Sequence, residues 1–100
     1  MKQREIIKAL VCEAESDAYH YFEIMNAAAI LFPKNLIEQL RQIVNGPVWD
    51  GDILCKADRS DLFDMGLAVR VCANGEQGYT GATYSAFTIL KMIKTCRHME

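Results

Sequence analysis

Apolar residues recur at alternating steps of four and three along the first third of the chain. This spacing places them on one side of an α-helix and predicts a continuous apolar seam. The seam positions are Ile7, Val11, Ala14, Ala18, Tyr21, Met25, Ala28 and Phe32. Ser16 and Asp17 favour a helix N-terminus, so they predict that the segment is divided into two helices. Packing of the seam within the domain is favoured, and a homodimer through the same residues stays open.

A third helix is predicted to begin at Pro33, because the fixed φ of proline suits the first helical position. Its apolar stripe consists of Leu36, Ile37, Leu40, Ile43 and Val44. The sequence Asn45-Gly46-Pro47 ends it, since Asn or Gly can adopt the left-handed cap and Pro cannot continue a helix. A short connection through Trp49 then leads to a fourth helix, which is predicted to begin at Asp58 and to end at Gly66.

From Leu67 onward the apolar period changes to two, and Asn74-Gly75 is a strong signal for a tight turn. The pattern predicts an antiparallel hairpin with a return strand from Gln77 to Ala82. Thr83 or Ser85 can cap a last helix. One side of that helix carries Phe87, Leu90, Ile93 and Cys96. The fold class predicted from these elements is α+β and mostly helical, with one small antiparallel hairpin.

The composition is that of one soluble globular domain over residues 1–100, with 51% hydrophobic and 24% charged residues. The N-terminus lacks the apolar core of a signal peptide, and the longest apolar run is far short of the roughly 20 residues that span a bilayer. We therefore expect a cytoplasmic protein. Four cysteines stand at positions 12, 55, 72 and 96 without a close pair, and they are expected to be reduced thiols in the core.

Charge is distributed unevenly along the chain. The segment from residue 48 to residue 66 holds five aspartates against Lys56 and Arg59, a net charge of −3, whereas the last ten residues carry a net charge of +2. Proteins that bind nucleic acid usually concentrate Lys and Arg on one face. Because non-specific affinity for DNA comes mostly from such cations, we expect this chain to bind DNA poorly.

Motifs of catalysis and cofactor binding are absent from the sequence. It contains no Gly-rich phosphate loop, no cysteine pair at zinc spacing and no serine nucleophile motif. We therefore expect no enzymatic activity, no cofactor, no metal and no catalytic residue. His20, three residues after Asp17, is interpreted as half of a surface pair. Tyr19, Tyr21 and Phe22 form an aromatic cluster that is expected to serve core or helix packing.

The order of the predicted elements is similar to that of winged-helix domains. Gly66-Leu67-Ala68-Val69-Arg70 resembles the exit from the recognition helix of those families, and the stretch from Gly78-Tyr79 to Thr83 resembles the exit from the wing. The likeness covers about residues 36–96. It implies an N-terminal helical segment, residues 1–32, joined to a winged-helix-like part, residues 34–96.

Two departures from the winged-helix pattern have structural implications. Only 19 residues separate Pro47 from Leu67, so the helix that normally precedes the recognition helix is expected to be reduced to a turn. The expected wing tip, residues 74–78, lacks a Lys or Arg that would enter a minor groove.

In size, charge and fold the chain also resembles small phage-encoded inhibitors, of which anti-CRISPR proteins are an example. The resemblance implies a non-enzymatic protein that occupies a basic nucleic-acid-binding surface, such as that of a CRISPR effector complex. On this hypothesis the partner-binding residues are Asp50, Asp52, Asp58, Asp61, Asp64 and Glu76, with Phe63 or Trp49 as an apolar anchor.

Two alternatives to the inhibitor hypothesis stay open. The aspartates can lie on a solvated face that serves solubility alone. The chain can also be a small winged-helix transcriptional regulator, as a monomer or a dimer. In that case the residues that contact DNA would be Lys56, Arg59, Ser60 and Arg70.

Overall fold

Five α-helices and three short β-strands make up the part of the chain that the structure, a computed structural model, describes. This part comprises the backbone of residues 2–98 and the side chains of residues 3–94. The elements are α1 (Lys2–Ser16), α2 (Tyr21–Leu31), α3 (Ile37–Val44), β1 (Val48–Trp49), α4 (Lys56–Asp64), β2 (Ala68–Ala73), β3 (Glu76–Ala82) and α5 (Tyr84–His98). Short 3-10 turns precede α2, α3 and α4. The predicted class, α+β and mostly helical, is confirmed.

The predicted break between the first two helices lies at Asp17. Its Oδ1 accepts a hydrogen bond from the backbone N–H of His20 at 3.2 Å, and its Oδ2 lies 2.9 Å from His20 Nδ1. This side chain caps the 3-10 turn Ala18–His20 that separates α1 from α2. The hydrogen bond to His20 holds the pKa of Asp17 below 3.8, and the same bond raises the pKa of His20 above 6.5.

The apolar seam packs inside the domain. Six of its eight positions are buried, Tyr21 is half-buried, and Ala18 is exposed in the turn between the helices. The buried seam residues form one cluster with residues of the later helices, among them Leu40, Leu62 and Ile89. The N-terminal segment therefore shares the core of the domain, and its seam is not available as a dimer interface.

Helix boundaries differ from the prediction by a few residues. The α-helix α3 begins at Ile37, because Pro33 precedes a 3-10 turn over Lys34–Leu36. Helix α4 begins at Lys56, two residues earlier than predicted, so Asp58 lies in its first turn. The predicted end of α4 is confirmed.

The end of α4 is a Schellman motif centred on Gly66, which has a φ of +77°. The backbone N–H of Gly66 donates to the carbonyl of Phe63 at 3.1 Å, and that of Leu67 donates to the carbonyl of Leu62 at 2.9 Å. Glycine suits this position because it adopts positive φ without a steric cost. The cap directs the chain from α4 into β2.

The sheet is antiparallel with the strand order β1-β3-β2. The predicted hairpin is present, with Asn74 and Gly75 at φ values of +55° and +77°, as a tight hairpin turn requires. Strand β1 was not predicted. Its two residues pair with Tyr79 and Thr80 of β3, and two residues are too few to produce a periodic pattern.

The cysteine prediction is wrong for the thiols that can be located. Cys12, Cys55 and Cys72 are free, as expected, but all three are exposed instead of filling the core. The side chain of Cys96 lies outside the described residues.

Helix α5 follows the predicted cap, since Thr83 Oγ1 accepts a hydrogen bond from the backbone N–H of Ala86 at 3.3 Å.

Three aromatic side chains that the sequence placed on apolar helix sides or in core or helix packing are at the surface. Phe87, on the predicted apolar side of α5, is 48% exposed. Tyr19 and Phe22 are also exposed, and of the predicted aromatic cluster Tyr21 alone is half-buried.

Candidate protein-binding surface

Asp50 has the most partners among the carboxylates of the expected acidic surface. Its Oδ1 accepts a hydrogen bond from Arg59 Nη1 at 2.8 Å, and its Oδ2 accepts one from Arg70 Nη1 at 3.0 Å. Thr80 Oγ1 is a further donor at 3.4 Å. Partial burial raises the pKa of Asp50, but the hydrogen bond from Arg70 and the two arginine charges outweigh it and hold the pKa below 3.8. Asp50 therefore joins α4 to the hairpin, and the charge that was expected to meet a partner is already paired within the chain.

The same ion pairs engage two of the four residues that a DNA-binding regulator would use. The side chain of Arg59 is only 14% exposed, and the guanidinium of Arg70 also lies over Phe63, with Cζ 5.5 Å from the ring centroid. A guanidinium that is already paired with a carboxylate contributes less to counterion release on DNA. The geometry therefore adds to the charge argument against DNA. Phe63 is half-buried beneath Arg70, so it is a poor anchor for a partner.

Asp61 is likewise compensated within the chain. Its Oδ2 accepts a hydrogen bond from Arg4 Nε at 2.8 Å, which joins α4 to the N-terminal half of α1. A shallow cavity of about 410 Å³ beside this pair is lined by Glu5, Lys8 and Asp64 as well. The C-terminal half of α4 thus faces basic side chains of α1. The carboxylate of Asp61, which was expected to contact a partner, is thus already paired within the chain.

Four of the six expected acidic residues make no ion pair with any described residue. They are Asp52, Asp58, Asp64 and Glu76. Asp58 is half-buried and the other three are exposed. They are spread over the loop before α4, the two ends of α4 and the start of β3. The structure therefore does not bring all six carboxylates into one uncompensated patch.

The side chain of Trp49 is held in a half-exposed position, with 51% of its surface accessible. Its ring lies directly over Gly51, where a Cβ would be only 2.0 Å from ring atom Cζ3. The ring also reaches Gly78, where a Cβ would lie at a normal contact distance of 3.8 Å from Nε1. Pairing with Tyr79 fixes the backbone of Trp49. An exposed aromatic ring that is already ordered loses little entropy on binding, which is typical of interface anchors.

The loop between β1 and α4 is held from beneath by two glutamines of α3. Gln42 Nε2 donates to the carbonyl of Asp52 at 2.7 Å, and Gln42 Oε1 accepts from the backbone N–H of Leu54 at 3.1 Å. Gln39 Oε1 accepts from the backbone N–H of Cys55 at 2.8 Å, and Gln39 Nε2 donates to Gln42 Oε1 at 2.8 Å. These bonds order the loop while the side chain of Leu54 stays 66% exposed.

We call residues 49–55 the Trp49 loop. It presents two exposed apolar side chains, Trp49 and Leu54, with the exposed carboxylate of Asp52 between them in sequence. Ordered loops on a rigid scaffold are common sites of binding. The Trp49 loop is therefore the best-formed candidate for a partner-binding site near the expected acidic surface.

Sequence reasoning did not identify Gln39 and Gln42 as part of the site. The signal was present for Gln39, which is three residues after Leu36 and four before Ile43 and thus on the buried side of α3. Its side chain is 1% exposed. A polar residue in such a position needs hydrogen-bond partners, and here they are the backbone N–H of Cys55 in the loop and Oε1 of Gln42 on the same helix.

Comparisons with protein-family models, curated proteins and solved structures give no match. Among the described residues, no three His, Cys, Asp or Glu side chains lie close enough together to hold a metal ion. None of the described helices combines the length and the apolar character that crossing a membrane requires.

Replacing Gln39 by leucine should loosen the Trp49 loop at a small cost in stability. The apolar leucine side chain suits this buried position, but it cannot accept the hydrogen bond that the backbone N–H of Cys55 donates to Gln39. Because Cys55 is exposed, water can take over this bond, so the expected loss is about 1 kcal/mol. Amide hydrogen exchange at Leu54 and Cys55 should become about tenfold faster.

A Glu38→Leu variant is the matched control, because Glu38 is the exposed neighbour of Gln39 and pairs only with Arg41 among the described residues. It should leave exchange in the loop unchanged. Equal exchange rates at Cys55 in the original chain and in Gln39→Leu would show that the glutamines do not order the loop.

Proposed function

We propose that the chain is a non-enzymatic binding protein that inhibits a host complex by occupying its basic, nucleic-acid-binding surface, in the manner of anti-CRISPR proteins. The observation that carries the proposal is the preformed Trp49 loop. An ordered tryptophan ring over Gly51 supplies an anchor, and Asp52 supplies an uncompensated negative charge three residues further on.

The order of elements supports a winged-helix-like scaffold for this function. Helix α3 is followed by β1, then by α4 and by the β2-β3 hairpin, and the 3-10 turn Asp50–Asp52 stands where a further helix would be expected. We take α4 as the counterpart of the recognition helix and the hairpin as the wing. Such a scaffold presents the Trp49 loop, α4 and Glu76 of the hairpin as a docking surface.

The electrostatic part of the proposal rests on the four carboxylates that make no ion pair with a described residue. Carboxylates at the rim of an interface attract a basic partner and accelerate association, whereas the buried anchor determines how long the complex lasts. Of these four carboxylates, Asp52 is the nearest in sequence to Trp49. Binding should therefore depend strongly on Trp49 and Leu54, and its salt dependence should depend on Asp52.

Photo-crosslinking from the Trp49 loop tests the proposal. A photo-crosslinking amino acid placed at Leu54 should capture a partner in native host cells, and one placed at the exposed Lys34 should not. The captured protein should bind nucleic acid by itself and lose that ability when the purified chain is added. Capture at both positions alike, or a partner whose nucleic-acid binding the chain leaves intact, would contradict the proposal.

Charge reversal gives the matched comparison on the identified partner. Asp52→Lys should weaken inhibition about tenfold and reduce its salt dependence. Glu13→Lys, the same change at an exposed position of α1, should have little effect. The alternative of a DNA-binding regulator is tested separately by mobility shift on random duplex DNA at low salt. We expect no shift, and a shift that disappears steeply with added salt would favour the regulator.

A further inference from the structure

A second apolar surface lies between α2 and α5 and shares no residue with the Trp49 loop. It is a groove of about 440 Å³ whose lining includes Phe22, Tyr84, Phe87, Met92 and Lys91. The three aromatic side chains are 59%, 68% and 48% exposed. With about 200 Å² for each ring side chain, they leave roughly 350 Å² of aromatic surface in contact with water. The largest apolar patch of a monomer commonly has this size and is often functional.

The groove is preformed because polar contacts connect the helices beside it. The hydroxyl of Tyr21 on α2 lies 3.2 Å from both Ser85 Oγ and Thr88 Oγ1 on α5. Ser85 in turn donates to Glu15 Oε2 on α1 at 2.8 Å. The ring of Tyr84 lies against that of Tyr21, with centroids 5.7 Å apart. These contacts fix the spacing of α2 and α5, so a partner meets an ordered surface.

We infer that this groove is a homodimer interface in which the α2–α5 face of a second copy covers it. A two-fold interface requires a surface that complements itself. The face meets this requirement, since exposed Glu23 lies on α2 whereas exposed Lys94 lies on α5. When α2 of one copy packs against α5 of the other, Glu23 of each copy faces the basic side of α5 in its partner. The two-fold symmetry therefore gives two opposite-charge contacts.

The exposed apolar area of the groove is also consistent with a second copy of the chain as the partner. A stable interface buries about 800 Å² on each partner, and the three rings provide nearly half of this area. Ile30 follows Phe22 by eight residues on α2, hence on the same side of the helix, and is 66% exposed. It extends the apolar surface along α2. This interface differs from the N-terminal seam, which is buried inside each copy, and it does not depend on the proposed inhibitory function.

Light scattering or sedimentation equilibrium tests the dimer, with a reductant present so that the exposed cysteines cannot form bridges between copies. The purified chain should approach twice its mass of 11.3 kDa at micromolar concentrations. Phe87→Glu should raise the dimer dissociation constant about a hundredfold, because it places a charge in the apolar contact. Leu54→Glu, the same kind of change at an exposed side chain outside the groove, should leave the dimer intact.

A charge exchange tests the orientation of the two copies and remains decisive if Phe87→Glu does not fold. Glu23→Lys and Lys94→Glu should each raise the dissociation constant about tenfold, since each creates two like-charge contacts. The double variant should return to within about threefold of the original value. A chain that is monomeric at all concentrations, a Phe87→Glu dimer, an equal effect of Leu54→Glu, or no recovery in the double variant would overturn the inference.

Discussion

Replacing Leu62 by alanine should lower the free energy of unfolding by about 3 kcal/mol, a large share of the total for a domain of this size. Leu62 is 0% exposed and is the one fully buried side chain among the residues of α4. The other attachments of this helix include half-buried Phe63, which packs against the core, and two part-buried ion pairs, Arg59 with Asp50 and Asp61 with Arg4. Since such ion pairs contribute little to stability and Phe63 is only half-buried, the apolar contact of Leu62 is the main attachment of α4 to the core.

Urea denaturation of Leu62→Ala and of Ser60→Ala measures this difference. Ser60 is exposed on the same helix, so its replacement should change stability by no more than about 0.5 kcal/mol. Hydrogen exchange should show that α4 opens more often in Leu62→Ala than the other helices do. Two variants of equal stability would mean that α4 is attached to the domain in some other way.

Replacing Gly51 by alanine should displace the ring of Trp49 and destabilise the domain by about 2 kcal/mol. The added Cβ would lie 2.0 Å from one ring atom and 2.4 Å from another, distances that no packed structure contains. The φ of Gly51 is outside the left-handed region, so the backbone itself tolerates alanine. The clash with the ring is therefore the whole effect, and it removes the ordered anchor on which the proposed function rests.

Fluorescence reports this displacement directly, because Trp49 is the single tryptophan of the chain. In Gly51→Ala the emission should move to longer wavelength, and acrylamide should quench it more strongly. The control is Gly75→Ala, in which the Cβ meets no atom within 4 Å but the φ of +77° strains the backbone. It should cost about 1 kcal/mol without changing the emission. Unchanged emission in Gly51→Ala would show that the ring does not depend on Gly51.

Features that depend on neighbouring residues were predictable from the sequence. The seam of α1 and α2, the cap at Asp17, the turn at Asn74-Gly75 and the helix end at Gly66 each follow from a local pattern. Strand β1 could not be predicted in this way, since Val48 and Trp49 form a strand only through pairing with β3. Its existence is a property of the tertiary fold.

For the candidate site, the sequence shows which residues are acidic. Contacts between distant positions decide which of these residues form ion pairs within the chain, and the sequence does not show those contacts. Asp50 is paired across 9 and 20 residues, and Asp61 is paired with Arg4 across 57. The hydrogen bond that orders the Trp49 loop could not be predicted for the same reason, because Gln39 and Cys55 are 16 residues apart. Side-chain contacts over such separations have no periodic signature.

The aromatic groove shows a different limit of sequence patterns. Phe87 belongs to the same apolar stripe of α5 as Leu90 and Ile93, but those two are buried whereas Phe87 is 48% exposed, so the buried side of α5 is narrower than the stripe. Apolar character favours burial without requiring it, because much of any protein surface is apolar. Exposure of Phe87 becomes informative only together with that of Phe22 and Tyr84 on the same groove.

The carboxylate of Asp50 serves three elements at once, since its partners come from α4, β2 and β3. Exchanging one member of such a set leaves the others mismatched, so single substitutions at Asp50, Arg59 or Arg70 should be selected against. In an alignment of homologous chains these three columns should therefore covary, changing together or remaining constant together over evolutionary time.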